Sequence, residues 1–208
     1  MSTDAVVPRR RGRPREFDLD AVTASLERAL WGRGFRSTSV EELAADAGLS
    51  LSSLYSAFGN KQGVLDAALA RYEREMGGIL GELESAQRGL PDVERFIGRV
   101  RAVLEDPASP AGCFMVNTMI EVGDGIPEVQ QRVAAYRFRI EQSLKAALDV
   151  AVSAGSIEVG SSRDRARLIQ AALFGAFAAS RAGDSMAARR GLQAITRELR
   201  RWRSTTQH

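Results

Sequence analysis

The 208-residue chain has little of what catalytic and exported proteins commonly rely on. A single cysteine, Cys113, cannot form an internal disulfide. A single histidine, His208, removes most histidine-based catalysis and most zinc sites. The longest strongly apolar run, 171–179, is about half of the roughly 18–20 residues needed to cross a bilayer. No charged segment leads into an apolar one at the amino end. With one unpaired thiol, this sets the expectation of a cytoplasmic protein with no membrane partner. Also missing are a Gly-x-Ser-x-Gly elbow, a phosphate-binding loop, a dinucleotide fingerprint and a clustered metal-ligand set. The expectation is therefore no enzyme, no cofactor, no metal and no catalytic residue. What is present is 44% hydrophobic residues with only 6 prolines, enough to bury a core and to exclude a disordered chain.

The formal net charge is only +3, but it is unevenly placed. Residues 1–16 hold five arginines against Asp4 and Glu16, and 189–203 hold six against Glu198. The first 70 residues balance at nine basic and nine acidic groups, so no global basic field argues for nucleic acid. Any such argument rests on where particular groups sit.

Apolar residues recur at helical spacing along most of the chain and nowhere alternate for long at period two. Leu19, Val22, Leu26, Ala29 and Leu30 line one face of a first helix, capped by Asp18 and closed by Gly32 or Gly34. Thr38-Ser-Val-Glu41 has capping-box spacing for a second helix that Gly48 stops. Ser50 caps a short third helix carrying Leu54, Tyr55 and Phe58. Longer helices are expected at about 61–87, 92–105, 113–122, 127–154, 164–181 and 186–202. The fold class is all-α, with an N-terminal three-helix unit on a larger helical body. Its expected division is an arm at 1–16, a DNA-binding unit at 17–65 and a ligand-binding and dimerisation body at 66–208.

Residues 42–58 place two short helices around Ala47-Gly48-Leu49-Ser50, the arrangement of a helix-turn-helix. The small residue, turn glycine and apolar residue that such a crossing requires are Ala44, Gly48 and Leu54. The second helix of such a pair lies in the major groove with its first residues at base edges.

The stretch from Gly34 to Lys61 resembles the DNA-binding domain of TetR-type transcriptional regulators. It has Thr38-Ser39 opening helix two, Ala47-Gly48 at the turn, Leu54-Tyr55 followed by Phe58, and Lys61 at the head of helix four. The resemblance implies phosphate contacts from Thr38, Ser39, Tyr55 and Lys61. Each has a plainer alternative: a helix cap for Thr38, a core aromatic for Tyr55, a solvated cation for Lys61. Base reading would fall to Leu51, Ser52, Ser53 and Ser56. Leu51 shares a face with Phe58, so it either packs inward or reaches a thymine methyl. Small hydroxyls read bases less sharply than a bidentate arginine, which implies a share of specificity for DNA shape. In the arm, Arg-Gly-Arg-Pro resembles the core of a minor-groove AT-hook, with Arg11, Arg13 and Arg15 as the contacting residues. A merely solubilising tail is the alternative.

The same resemblance implies that the last two helices pair with a second subunit, with Leu173, Phe174, Phe177, Leu192, Ile195 and Leu199 as interface candidates. It implies an effector pocket in the body, with Met76, Leu80, Phe96, Val100, Phe114 and Tyr136 as lining candidates. Gly112-Cys-Phe-Met-Val-Asn117 is similar to a segment in reductant- and electrophile-responsive members. Cys113, Asn117 and Glu121 fall on one helix face as polar pocket candidates, although no nearby basic residue activates Cys113. The implied function is a dimeric, ligand-responsive regulator on a palindromic operator in double-stranded DNA. Repression through an unidentified small-molecule effector comes first, with activation or a purely architectural role of the arm as alternatives.

Overall fold

The structure, a computed structural model, describes residues 17–85, 87–122 and 125–203. The expected arm contacts Arg11, Arg13 and Arg15 lie outside that range. Among the described residues the chain forms nine helices. They are α1 (Leu19–Arg33), α2 (Val40–Asp46), α3 (Leu51–Phe58), α4 (Lys61–Glu84) and α5 (Leu90–Glu105). The rest are α6 (Phe114–Val122), α7 (Pro127–Ser153), α8 (Ser162–Arg181) and α9 (Ser185–Arg201). The only extended pairing described is an isolated bridge between Ile157 and Arg203. No described helix is long and apolar enough to cross a membrane.

Local chemistry sets most helix ends. Asp18 accepts from the amides of Asp20 and Ala21, Ser50 from that of Ser53, and Asn60 from that of Gly63, each satisfying an orphan donor. Helix α2 starts one residue later than the sequence suggests. Its capping box is Ser39 with Glu42, which exchange two hydrogen bonds of 3.1 and 2.6 Å. Thr38 is fully buried instead, and its hydroxyl donates to the Gly34 carbonyl at 2.7 Å.

Two apolar clusters organise the packing. The first is built on Leu26, Leu30, Leu43, Leu54, Leu65 and Leu69 and closes the three-helix unit against α4. It then continues into the body through Phe114, Met115 and Val133. Trp31, Tyr72 and Phe114 meet within it at centroid distances of 5.3–6.3 Å, Trp31 and Phe114 stacked and Tyr72 edge-on to both. The second cluster joins α5, α7, α8 and α9 around Val93, Leu144, Leu148 and Leu199. Each large side chain buried this way is worth about 1.5–3 kcal/mol. The recognition unit is thus held by the same apolar mass that supports the body.

The six residues expected at a subunit interface are largely covered within the chain itself, with Ile195 also lining an outward recess of α8 and α9. Leu173, Leu192, Ile195 and Leu199 are buried in the second cluster. Phe174 and Phe177 are half-buried and pack on both clusters. Helices α8 and α9 each turn an apolar stripe toward the chain's own core and an arginine-bearing face outward.

Candidate DNA interface and effector cavity

Helices α2 and α3 cross where Ala44 and Leu54 are buried and Gly48 takes φ +64°, a value that favours glycine. The Leu49 amide donates to the Ala44 carbonyl at 2.8 Å and fixes the turn. With Leu54 anchored inside, the opposite face of α3 points outward. Leu51 is 38% exposed and Tyr55 45% exposed, with Ser52 and Ser56 beside them in solvent. Leu51 therefore takes the outward of its two alternatives. Ser53 is half-buried, and its hydroxyl lies 2.8 Å from that of Ser50, which is also 3.0 Å from Ser52. No acidic residue lies in α3, so nothing on that helix repels a phosphate backbone.

Lys61 is half-buried with its ammonium 4.5 Å from the centre of the Phe35 ring, a contact worth about 0.5–1 kcal/mol. Ser39 is exposed at the start of α2, but its capping box with Glu42 already fills that helix end, and Glu41 sets a second carboxylate beside it. The Thr38 hydroxyl is inside and also already used.

The corner between α1 and α2 is gripped from the body by two opposite charges. The Glu121 carboxylate, from α6, accepts from the Phe35 amide at 3.0 Å and the Arg36 amide at 2.6 Å. The Arg181 guanidinium, at the end of α8, donates to the carbonyls of Trp31 at 3.0 Å and Gly32 at 2.7 Å. A cation on the free carbonyls that end a helix and an anion on the amides beyond it are each the favourable pairing. The Trp31 indole N–H adds a bond to the Ala111 carbonyl at 3.2 Å. Glu121 therefore holds the DNA-binding unit and is not a pocket residue. Arg181 went unnoticed in the sequence, since its partners lie about 150 positions away in the chain.

Behind α4 lies an apolar cavity of about 40 Å3. Of the lining expected from sequence, Met76, Leu80, Phe96, Val100 and Tyr136 are there. Leu173, Phe174 and Phe177 line it too, and no charged side chain does. Phe114 is away from it, packed between Trp31 and Tyr72. Asn117 is buried in the seam between α6 and α8, donating to the Ala111 carbonyl at 2.9 Å while its Oδ1 has no partner.

Cys113 does not line the cavity either. It is buried and receives the Tyr72 hydroxyl at 3.1 Å. Burial pushes its thiol above the usual cysteine range, outweighing that hydrogen bond. Iodoacetamide at pH 7.5 should therefore label the native protein about a hundredfold slower than the urea-unfolded chain. Mass spectrometry of quenched samples checks this, and equal rates would mean the site opens freely.

Facing outward on α8 and α9 are Leu168, 53% exposed, and Met186, 55% exposed. A shallow recess of about 190 Å3 lies among Leu168, Ala172, Ala194 and Trp202.

With this geometry in view, comparison with known proteins is informative. Residues 23–68 match the family described as bacterial regulatory proteins, tetR family, and 89–195 match a tetracyclin repressor-like C-terminal domain. The HTH-type transcriptional repressor ComR of Escherichia coli (strain K12) is 32% identical over 124 residues, 56% of this chain and 58% of that protein. The uncharacterised HTH-type transcriptional regulator YezE of Bacillus subtilis (strain 168) is 29% identical over 122 residues, 57% of this chain and 61% of that protein. The chain thus spans less than two-thirds of the length of either relative. A cysteine-substituted form of the TetR family regulator CifR, solved with a 26-bp double-strand operator, superposes with a TM-score of 0.78 at 25% identity. That match covers 92% of this chain and all of the other. The reduced form of NemR from E. coli shares the fold, with a TM-score of 0.76 at 19% identity over 91% of this chain and 98% of that one.

Proposed function

Because the chain belongs to the TetR family of bacterial transcriptional regulators, we propose that it is a dimeric repressor released from its operator by a small molecule. The family consists of DNA-binding regulators and not enzymes. The observation that carries the reading is the disposition of α3: Leu54 buried, Leu51, Ser52, Tyr55 and Ser56 presented, and no acidic charge among them. Residues 17–65 then serve as the reading head, 66–208 as the body, and 1–16 as a basic arm beside the duplex.

Two reading heads must address half-sites about 34–36 Å apart, which requires a two-fold assembly. The surfaces that suit it are the outward sides of α8 and α9, where Leu168 and Met186 stand exposed and Ala171, Gly175 and Ala194 let helices approach closely.

The apolar cavity supports a neutral, largely apolar effector, because no charge lines it to balance an ionic one. At about 40 Å3 it is far below the roughly 300 Å3 or more of a small-molecule site, so entry requires its walls to part. Phe177, on its wall, lies one helical turn before Arg181, and Gly112, also on the wall, precedes the helix that carries Glu121. Parting the walls therefore displaces both grips on the α1–α2 corner. A hundredfold loss of operator affinity needs only about 2.7 kcal/mol of such coupling.

The test is selection of bound sequences from a random DNA pool, followed by fluorescence anisotropy on the winner and its scrambled control. Expected is salt-sensitive binding of two chains per site that favours the selected sequence and reverses with a neutral apolar metabolite. Equal affinity for the scrambled control would overturn the reading. Within it, Glu121→Gln turns an acceptor at one of two amides into a donor. That should cost about 1–3 kcal/mol of stability and leave operator affinity less responsive to the effector. Thermal melts and effector titrations check this, and an unchanged effector response would remove Glu121 from the coupling.

A further inference from the structure

We propose that the groove between α5 and α9 is a second ligand site, taking a small organic oxyanion such as a carboxylate or phosphate ester. It is independent of the effector cavity and of the regulator reading. The groove encloses about 660 Å3, within the range of small-molecule sites. Its lining is mixed: three arginines, Arg101, Arg200 and Arg203, stand against one carboxylate, Glu94, above a floor of Ile97, Leu192 and Leu199.

Ion pairing along the seam leaves the middle positively charged. At one end Arg203 holds Glu94 at 2.7 Å, and at the other Arg189 holds Glu105 at 3.2 Å. Between them, Arg101 from α5 and Arg200 from α9 line the same cleft, and neither has a carboxylate within 4.0 Å among the described residues. Two guanidiniums facing one cleft raise its potential and repel each other, and an oxyanion between them relieves both effects. Gln193 and Thr196 add neutral hydrogen-bonding groups on the α9 side.

Gly98 shapes the α5 side of the groove. It sits inside α5, where glycine costs about 1 kcal/mol relative to alanine. It has an ordinary helical backbone, and nothing lies within 4 Å of the position a Cβ would occupy. Neither strain nor internal packing requires glycine there. It leaves open space facing the cleft, which an approaching ligand would use.

The experiment is calorimetric titration of the full chain, in chloride buffer, with inorganic phosphate in one arm and succinate in the other. Expected is saturable binding of at least one anion with one site per chain, the stronger arm identifying the phosphate or carboxylate source. Arg101→Gln and Arg200→Gln should each weaken it about tenfold. Gly98→Leu, which fills the cleft without touching a charge, should abolish it while thermal melts show the fold intact. Operator binding, read by anisotropy, is unaffected by these variants if only the groove is involved, so failure here is distinguishable from failure of the regulator reading. No saturable heat with either anion into the millimolar range would overturn the proposal. So would anion binding unchanged in both Gly98→Leu and the arginine variants.

Discussion

Tyr55→Phe, the loss of one oxygen atom per chain, is expected to weaken operator binding about a hundredfold or more. The side chain is 45% exposed on α3, whose anchoring in the fold rests on the buried neighbour Leu54. Phenylalanine keeps the ring and the helix, so stability should stay within about 0.5 kcal/mol of the parent. What goes is an exposed hydroxyl that, in the proposed complex, donates to a phosphate oxygen. A hydrogen bond to a charged partner is worth about 1.5–3 kcal/mol, and a two-fold complex loses it twice. Because the hydroxyl carries no charge, the salt dependence of binding should keep its slope. Lys61→Ala offers the contrast: it removes a cation and should flatten that slope by about one unit per chain. Anisotropy titrations at several salt concentrations separate the two. Unchanged affinity in Tyr55→Phe would mean that the outward face of α3 does not meet the backbone through this residue.

A large loss of stability should come from Gly112→Ala, an added methyl where three segments converge. Gly112 has φ +80°, and its amide donates to the Ser180 hydroxyl at 3.1 Å. A Cβ there would lie 2.6 Å from Asn117 Oδ1 and 2.9 Å from the Phe177 carbonyl oxygen. The second of these is backbone and cannot swing aside. A disfavoured backbone conformation costs about 1 kcal/mol, and overpacking a filled site about 1–3 more. The total of about 2–4 kcal/mol corresponds to a melting temperature lower by roughly 5–15 °C for a chain of this size. Gly98→Ala is the matched control, since its new Cβ meets nothing within 4 Å and helix propensity alone should raise stability by about 0.5–1 kcal/mol. Scanning calorimetry of both variants checks the pair. Equal melting temperatures would show that the seam between α6 and α8 yields easily, which would also weaken its role in carrying motion to Glu121 and Arg181.

Much of this architecture was legible residue by residue. Cap and stop residues act over three or four positions, so Asp18 and Ser50 mark helix starts that the folded chain uses. The start of α2 was misread because Thr38-Ser39-Val-Glu41-Glu42 supports two overlapping capping boxes. The choice between them lies in the Gly34 carbonyl, which takes the Thr38 hydroxyl inside and leaves the cap to Ser39. For the cavity, the family resemblance pointed to Met76 and Leu80 on α4 and Phe96 and Val100 on α5, and these four side chains line it. Helical spacing grouped Asn117 with Glu121, one turn apart, but periodicity says nothing of what a face meets.

Determined by the order of amino acids alone, then, were the helices, their boundaries to within a few residues, and the helix-turn-helix with its turn at Gly48. Each of these depends on interactions among near neighbours, which any stretch of chain carries with it. Decided only by tertiary packing were the inward turn of Phe174 and Phe177, the grips of Glu121 and Arg181 on the α1–α2 corner, and the cleft between Arg101 and Arg200. These join groups from about 85 to 150 positions apart, or leave them unjoined. At such separations no local preference operates, and the burial of apolar surface from several helices at once selects which faces meet.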